Sequence, residues 1–217
     1  MEPMAAGTSY AGYHSIAVPV GHELEVKRSR FIAELAPVET EEAARSFISA
    51  QRRVHSKARH HCTAFVLGER SEVRRSNDDG EPSGTAGLPI LETLTGRGLS
   101  NIVAVVIRYF GGTLLGTGGL IRAYGGAVSA ALDRAAIVDW RPVQSLTITA
   151  DYSNAAQLEK LIHERRWTLL TANYAAEVTL SFGVPPGEAD AAGLAVQDVS
   201  SRHNLPTIGS VRYVKSD

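Results

Sequence analysis

The spacing of apolar and polar positions divides the chain into two stretches with different patterns. In the first, short runs at Leu24 to Lys27 and Arg30 to Leu35 predict opening strands. A helix is expected after Thr40, a good N-cap, with Glu41 and Glu42 in its positive first turn and Arg52 and Arg53 near its negative end. Ala44, Phe47, Ile48 and Val54 recur at helical spacing and predict its buried stripe. Cys62 to Leu67 is apolar at nearly every position, as in a strand covered on both faces, and Glu72 to Ser76 reads as its hairpin partner. Turn formers from Asn77 to Gly87 predict a loop that gives way to a helix over Pro89 to Thr95. Ile102 to Ile107 is the most strand-like hexapeptide and predicts a central strand. It leads through a glycine-rich segment into a helix over Leu120 to Arg134, where Ala123, Gly126, Ala127, Ala130 and Ala131 are small enough to lie close against a sheet. Each interior helical glycine costs roughly 1 kcal/mol against alanine, so Gly125 and Gly126 imply close approach as compensation.

Arg141-Pro142 marks an expected boundary. Beyond it the pattern predicts strand Leu146 to Ala150, helix Asn154 to Arg165, strands Thr168 to Ala172 and Glu177 to Phe182, helix Glu188 to Ser200 and strand Ser210 to Val214. That βαββαβ order is the order of a ferredoxin-like split βαβ unit. Strict alternation supports it, with Leu146, Ile148 and Ala150 facing away from Thr147 and Thr149. The expected organisation is therefore α+β: a disordered tail over residues 1–20, an N-terminal domain over 21–140 and a ferredoxin-like domain over 143–217.

Composition adds bounds. A chain of 217 residues with 44% hydrophobic and 21% charged residues is long enough for one medium and one small domain and apolar enough to bury a core. One cysteine, Cys62, cannot form an internal disulfide, which argues for a reducing compartment. No apolar run reaches the ~20 residues of a membrane span, and the first fifteen residues lack the pattern of a signal peptide. A cytoplasmic protein without membrane association is the expectation. Net charge is −1, but between Arg45 and Arg75 eight Lys and Arg stand against two Glu, a local basic stretch that suits an anionic partner.

The segment Gly111-Gly112-Thr113-Leu114-Leu115-Gly116-Thr117-Gly118-Gly119, between a strand and a helix, is the arrangement in which backbone N–H groups cradle an anion. It is neither a P-loop, which needs Lys where Thr117 stands, nor a dinucleotide fingerprint, which needs glycine where Ile121 stands. The same glycines also suit tight packing; Arg108 and Arg122 on either side favour a site. A second loop offers Asp78, Asp79 and Glu81, which suit a divalent cation, acid–base chemistry or a solvated turn, or which, with Ser83, orient the arginines of the glycine loop if the segments meet. Zinc at His55, His60, His61 and Cys62 is disfavoured, because adjacent strand residues point to opposite faces. Lys57, Arg59 and His60 read instead as a basic lip beside the glycine loop. Trp140, Trp167, Tyr152 and Tyr174 are scattered and form no recognisable stacking platform.

Asp78-Asp79-Gly80-Glu81-Pro82-Ser83-Gly84-Thr85-Ala86-Gly87, followed by Val106-Ile107-Arg108-Tyr109-Phe110 and the glycine segment through Leu120, resembles the IMPACT family in its bacterial YigZ branch. Arg59-His60-His61-Cys62 belongs to the same likeness, which spans roughly Leu24 to Trp140. The resemblance implies a first domain folded like the second domain of ribosomal protein S5 and a second domain similar to domain V of elongation factor G. It also implies a role in translation under stress, with RNA or the ribosome as the leading partner and other translation proteins as further ones. The expected site is then Arg108, Gly111, Gly112, Thr113, Gly116, Thr117, Gly118, Gly119 and Arg122 with Lys57, Arg59 and His60, supported by Asp78, Asp79, Glu81 and Ser83, with no catalytic residue, metal or cofactor. Two alternatives stay open: an enzyme acting on a small phosphorylated ligand with a metal on the acidic loop, and a module that binds only protein.

Overall fold

The computed structural model describes residues 10–200 and 205–216. Two compact units divide near residue 140, the first being Tyr13–Asp139. Its elements are strands β1 (Tyr13–Ile16), β2 (Val20–Val26) and β3 (Ser29–Pro37), helix α1 (Glu41–Val54), strands β4 (His60–Leu67) and β5 (Val73–Asn77), helix α2 (Gly87–Gly96), strand β6 (Ile102–Tyr109) and helix α3 (Thr117–Leu132). Strand β7 (Ile137–Ala150) begins in this unit and continues into the second.

Strands β2 to β6 form one antiparallel sheet in the order β2-β3-β6-β4-β5, which puts β6 in the middle as expected. Side-chain alternation serves both faces of β6. Ile102, Ala104 and Val106 join the main core under α2 and α3, whereas Val103, Val105 and Ile107 pack beneath α1. Strand β4 does the same, Cys62, Ala64 and Val66 facing α2 and α3. Helix α1 starts as its sequence dictates, Thr40 accepting the Ala43 N–H at 3.1 Å.

Three expectations need correction. The tail does not extend to residue 20: β1 is held by the Ser100 N–H on the His14 carbonyl (2.9 Å) and by the Ala17 N–H on Ala136 (2.8 Å), while residues 1–9 lie outside the described residues. Val54, the last residue of α1, is 72% exposed rather than buried. The tight approach at Gly125 is to another helix, where a Cβ would stand 3.3 Å from Thr93 Oγ1, and only Gly126 faces a strand, at Leu24. The expected boundary at Arg141-Pro142 falls within two residues of the division at Asp139/Trp140, although β7 runs through it without a linker.

The second unit carries the rest of β7, helix α4 (Tyr152–Glu164), strands β8 (Thr168–Tyr174) and β9 (Val178–Val184), helix α5 (Ala189–Val199) and strand β10 (Thr207–Lys215). Pairing gives the order β10-β7-β9-β8, all antiparallel, so the βαββαβ pattern closes as a split βαβ sheet. Leu146, Ile148, Leu180 and Phe182 face α4 and α5, and Thr147, Thr149, Thr179 and Ser181 lie on the opposite face, as the alternation required.

Candidate functional site

One end of the first sheet collects the chemistry. Register sets His60 of β4 beside Arg108 of β6, and Phe31 of β3 beside Arg108 on its other side. The chain therefore leaves three neighbouring strands at this end, through Lys57 and Arg59, through the glycine segment and through the β2–β3 hairpin tip.

Arg108 is not free to hold a ligand's phosphate with its whole guanidinium. Its Nη1 donates to Glu81 Oε1 at 2.7 Å, and the two side chains are only 7% and 4% exposed. Tyr124 of α3 donates to the same Oε1 at 2.7 Å. The guanidinium lies over the rings of Phe31 (5.4 Å) and Phe110 (5.6 Å), and Phe31 meets Tyr124 edge to face at 5.1 Å. Through Glu81, loop 78–87 thus ties together the strand that enters the glycine segment, at Arg108, and the helix that leaves it, at Tyr124.

The three carboxylates turn to three different partners, so they do not converge on a cation. Asp78 Oδ1 accepts the N–H groups of Ala86 (3.0 Å) and Gly87 (2.8 Å), and Oδ2 accepts Gly84 (2.9 Å), which seats the start of α2. Burial alone raises its pKa, but these three donors outweigh burial and hold the carboxyl below its ordinary value. Asp79 takes the left-handed conformation, φ 46°, and accepts from Arg52 Nη2 (2.7 Å) and the His61 N–H (2.7 Å). Its pKa is also lowered, burial opposing and these donors prevailing. Ser83 is exposed at the loop surface. Among the described residues no group of three or more His, Cys, Asp or Glu is placed to bind a metal.

His60 and His61 do point apart. His60 Nδ1 donates to the Asp79 carbonyl at 2.9 Å on the α2/α3 side. His61 is buried beneath α1, and burial first, then the charge of Arg52, lowers its pKa. Cys62 donates from Sγ to the Asp78 carbonyl at 2.9 Å; burial pushes its thiol up to about 12, so it is inert at neutral pH.

The glycine segment is half anchored and half open. The Gly111 N–H donates to Ser29 Oγ at 3.1 Å, and Leu115 and Leu120 reach the main core, but Gly112, Gly116, Thr117 and Gly118 are exposed and Leu114 is 83% exposed. Gly116 caps α3 at φ 69°, ψ 166°, a conformation open essentially to glycine alone. No hydrogen bond among the described residues takes up the N–H groups of Thr117, Gly118 or Gly119, the orphan donors of a helix start. Arg122, one turn on, is exposed and folds back toward Gly118: a Cβ on Gly118 would lie 3.4 Å from its Nη1.

The sequence places both strands of the β2–β3 hairpin but not the part its tip plays here. Val26 pairs with Ser29, so Lys27-Arg28 is a two-residue turn with φ 48° and 66°. Such turns favour Asn-Gly, and here two exposed cations stand instead. Arg28 Nη2 donates to Thr113 Oγ1 at 3.1 Å, tying this tip to the glycine segment. Alternating strand patterns locate the strands but do not show which tip touches which loop. Part of the basic stretch lies elsewhere: Arg45, Arg52 and Arg75 line a groove of about 360 Å³ on the α1 side of the sheet, with Ser49, Thr63 and Asn77. Lys57 and Arg59 are exposed at the glycine end.

Residues 27–132 match the Impact N-terminal domain, and residues 148–201 match a domain of unknown function, DUF1949. IMPACT family member YvyE of Bacillus subtilis is 40% identical over 179 residues, covering 82% of each chain. IMPACT family member YigZ of Escherichia coli is 42% identical over 171 residues, covering 78% of this chain and 84% of that one. A crystal structure described as that of a hypothetical protein superposes with a TM-score of 0.64 at 35% identity, over 92% of this chain and 98% of that one. With motif, domain order and relatives in agreement, the chain belongs to the IMPACT family, in the branch of YigZ and YvyE.

Proposed function

We propose that this protein is a non-enzymatic, translation-associated regulator that holds RNA, free or in the ribosome, at the glycine end of its first sheet. One observation carries the reading: Thr117 and Gly118, at the start of α3, are exposed, their amides have no hydrogen-bond partner among the described residues, and the Arg122 guanidinium stands beside Gly118, a combination of helix start and cation that suits a phosphate. Lys27, Arg28, Lys57 and Arg59 surround the same end of the sheet with positive charge. Gly111, Gly112, Thr113, Gly116 and Gly119 shape the loop and His60 borders it, while Arg108, Asp78, Asp79 and Glu81 support it from behind. Ser83 contributes only as part of that supporting loop.

The likeness of the two domains to ribosomal protein S5 and to elongation factor G belongs to this same reading, as do a cytoplasmic setting, a role under stress and further protein partners in translation. The absence of any described helix long and apolar enough to cross a membrane is consistent with it. Pull-down from lysate with and without nuclease tests the proposal. Capture of ribosomal or other RNA that nuclease abolishes and Arg122→Ala weakens is expected. Nuclease-resistant capture of proteins alone would favour a protein-binding module, and Mg²⁺-dependent thermal stabilisation by a nucleotide would favour an enzyme.

A further inference from the structure

The ring of Phe110 is an unexplained exposure at the proposed site. It follows the last residue of β6, is 52% exposed, and has the Arg108 guanidinium 5.6 Å from its centroid. The group behind this ring is itself firmly held. Arg108 is fixed by Glu81, Glu81 by Tyr124, and Tyr124 by its edge contact with Phe31, which in turn lies under Arg108. The residue after Phe110 is pinned as well, since a Cβ on Gly111 would fall 2.0 Å from the backbone carbon of Arg28. A column of Tyr124, Phe31 and Arg108 therefore ends in a half-open aromatic ring whose backing is held in place.

We propose that Phe110 is a stacking platform for an unpaired nucleobase, so that the RNA held here is single-stranded; the inference rests on the RNA reading above. Unpaired bases stack on aromatic rings, whereas a duplex keeps its bases stacked on one another and offers only backbone and groove. The surroundings fit a nucleotide better than a peptide or a lipid. At the same end of the sheet as this apolar ring stand groups suited to phosphate, namely Arg28, bound to Thr113 at 3.1 Å, and the first amides of α3 with Arg122 beside Gly118. A guanidinium beneath the ring polarises it and adds to the attraction for a base above.

Binding of a short fluorescent oligoadenylate, its fully abasic counterpart and a short RNA duplex, each at several salt concentrations, tests this with three proteins: the wild type, Phe110→Leu and Phe110→Trp. Leucine keeps an apolar cover over Arg108 but has no ring face. The expected result is that Phe110→Leu weakens oligoadenylate binding about tenfold for one lost base contact, with an unchanged salt slope and no effect on the abasic strand. Phe110→Trp binds the oligoadenylate at least as tightly as wild type, and the wild type prefers single strand to duplex. Should Phe110→Leu bind like wild type while binding stays salt-dependent, the stacking inference falls and the RNA reading survives. Absence of binding to all three probes by the wild type overturns both, and equal weakening toward oligoadenylate and abasic strand assigns Phe110 a purely structural role and overturns the inference.

Discussion

At the scale of single residues, the structure reassigns the acidic loop from surface to scaffold. Glu81 and Arg108 are almost wholly buried together, so truncating one leaves the other charge without compensation. Glu81→Ala is expected to cost about 3–5 kcal/mol in chemical denaturation, far more than the loss of an exposed ion pair. For the same reason Arg108→Ala reports on folding and not on ligand contact, and Arg122 is the clean probe. Asp78 gives a pH signature. Its folded carboxyl lies below the ordinary value of 3.8, so the unfolded chain binds more protons in acid. The stability it contributes is whole above that value, declines as pH falls from there toward the folded pKa, and vanishes below it. Asp78→Ala should therefore lower the unfolding midpoint at pH 7 by an amount that shrinks below pH 3.8. With its thiol pushed up to about 12 and fully buried, Cys62 should resist alkylation by iodoacetamide in the native protein and react readily once denatured.

At the scale of elements, glycine placement separates tight packing from conformational need. Alanine at 111 would drive its Cβ to 2.0–2.3 Å from the backbone of Arg28 and Ser29, so Gly111→Ala is expected to cost more than the roughly 1–3 kcal/mol usual for overpacking. Gly116 has open space around its absent Cβ but a φ of 69°, so alanine there costs about 1–3 kcal/mol through backbone strain alone. Thermal unfolding of the two variants should show Gly111→Ala as the more damaged. The elements themselves were largely legible, because Ile102 to Ile107 and Leu146 to Ala150 carry their periods openly and Thr40 its cap. β1 was not, since Tyr13 to Ile16 is short and is held by backbone pairing with distant residues. The site was legible only in part. The glycine segment announces a loop before a helix, whereas the Arg108–Glu81 pair spans 27 positions and the Lys27-Arg28 tip is a turn built without turn residues.

For the whole molecule, two α+β units with separate cores carry a net charge of −1, so the proposed attraction to RNA would have to come from local charge. The structure splits the basic stretch, leaving Lys57 and Arg59 with the glycine end and placing Arg45, Arg52 and Arg75 across the sheet. If the glycine end binds a single strand as proposed, counterions are released, with a log–log salt slope of about −0.7 per phosphate contacted. The most direct test of the account is the affinity for a single-stranded RNA, measured across a range of salt for the wild type and for Arg122→Ala. The account predicts binding that weakens steadily with salt, and for Arg122→Ala a weaker affinity with a slope shallower by about 0.7. Affinity that is absent, indifferent to salt or untouched by Arg122→Ala would contradict it.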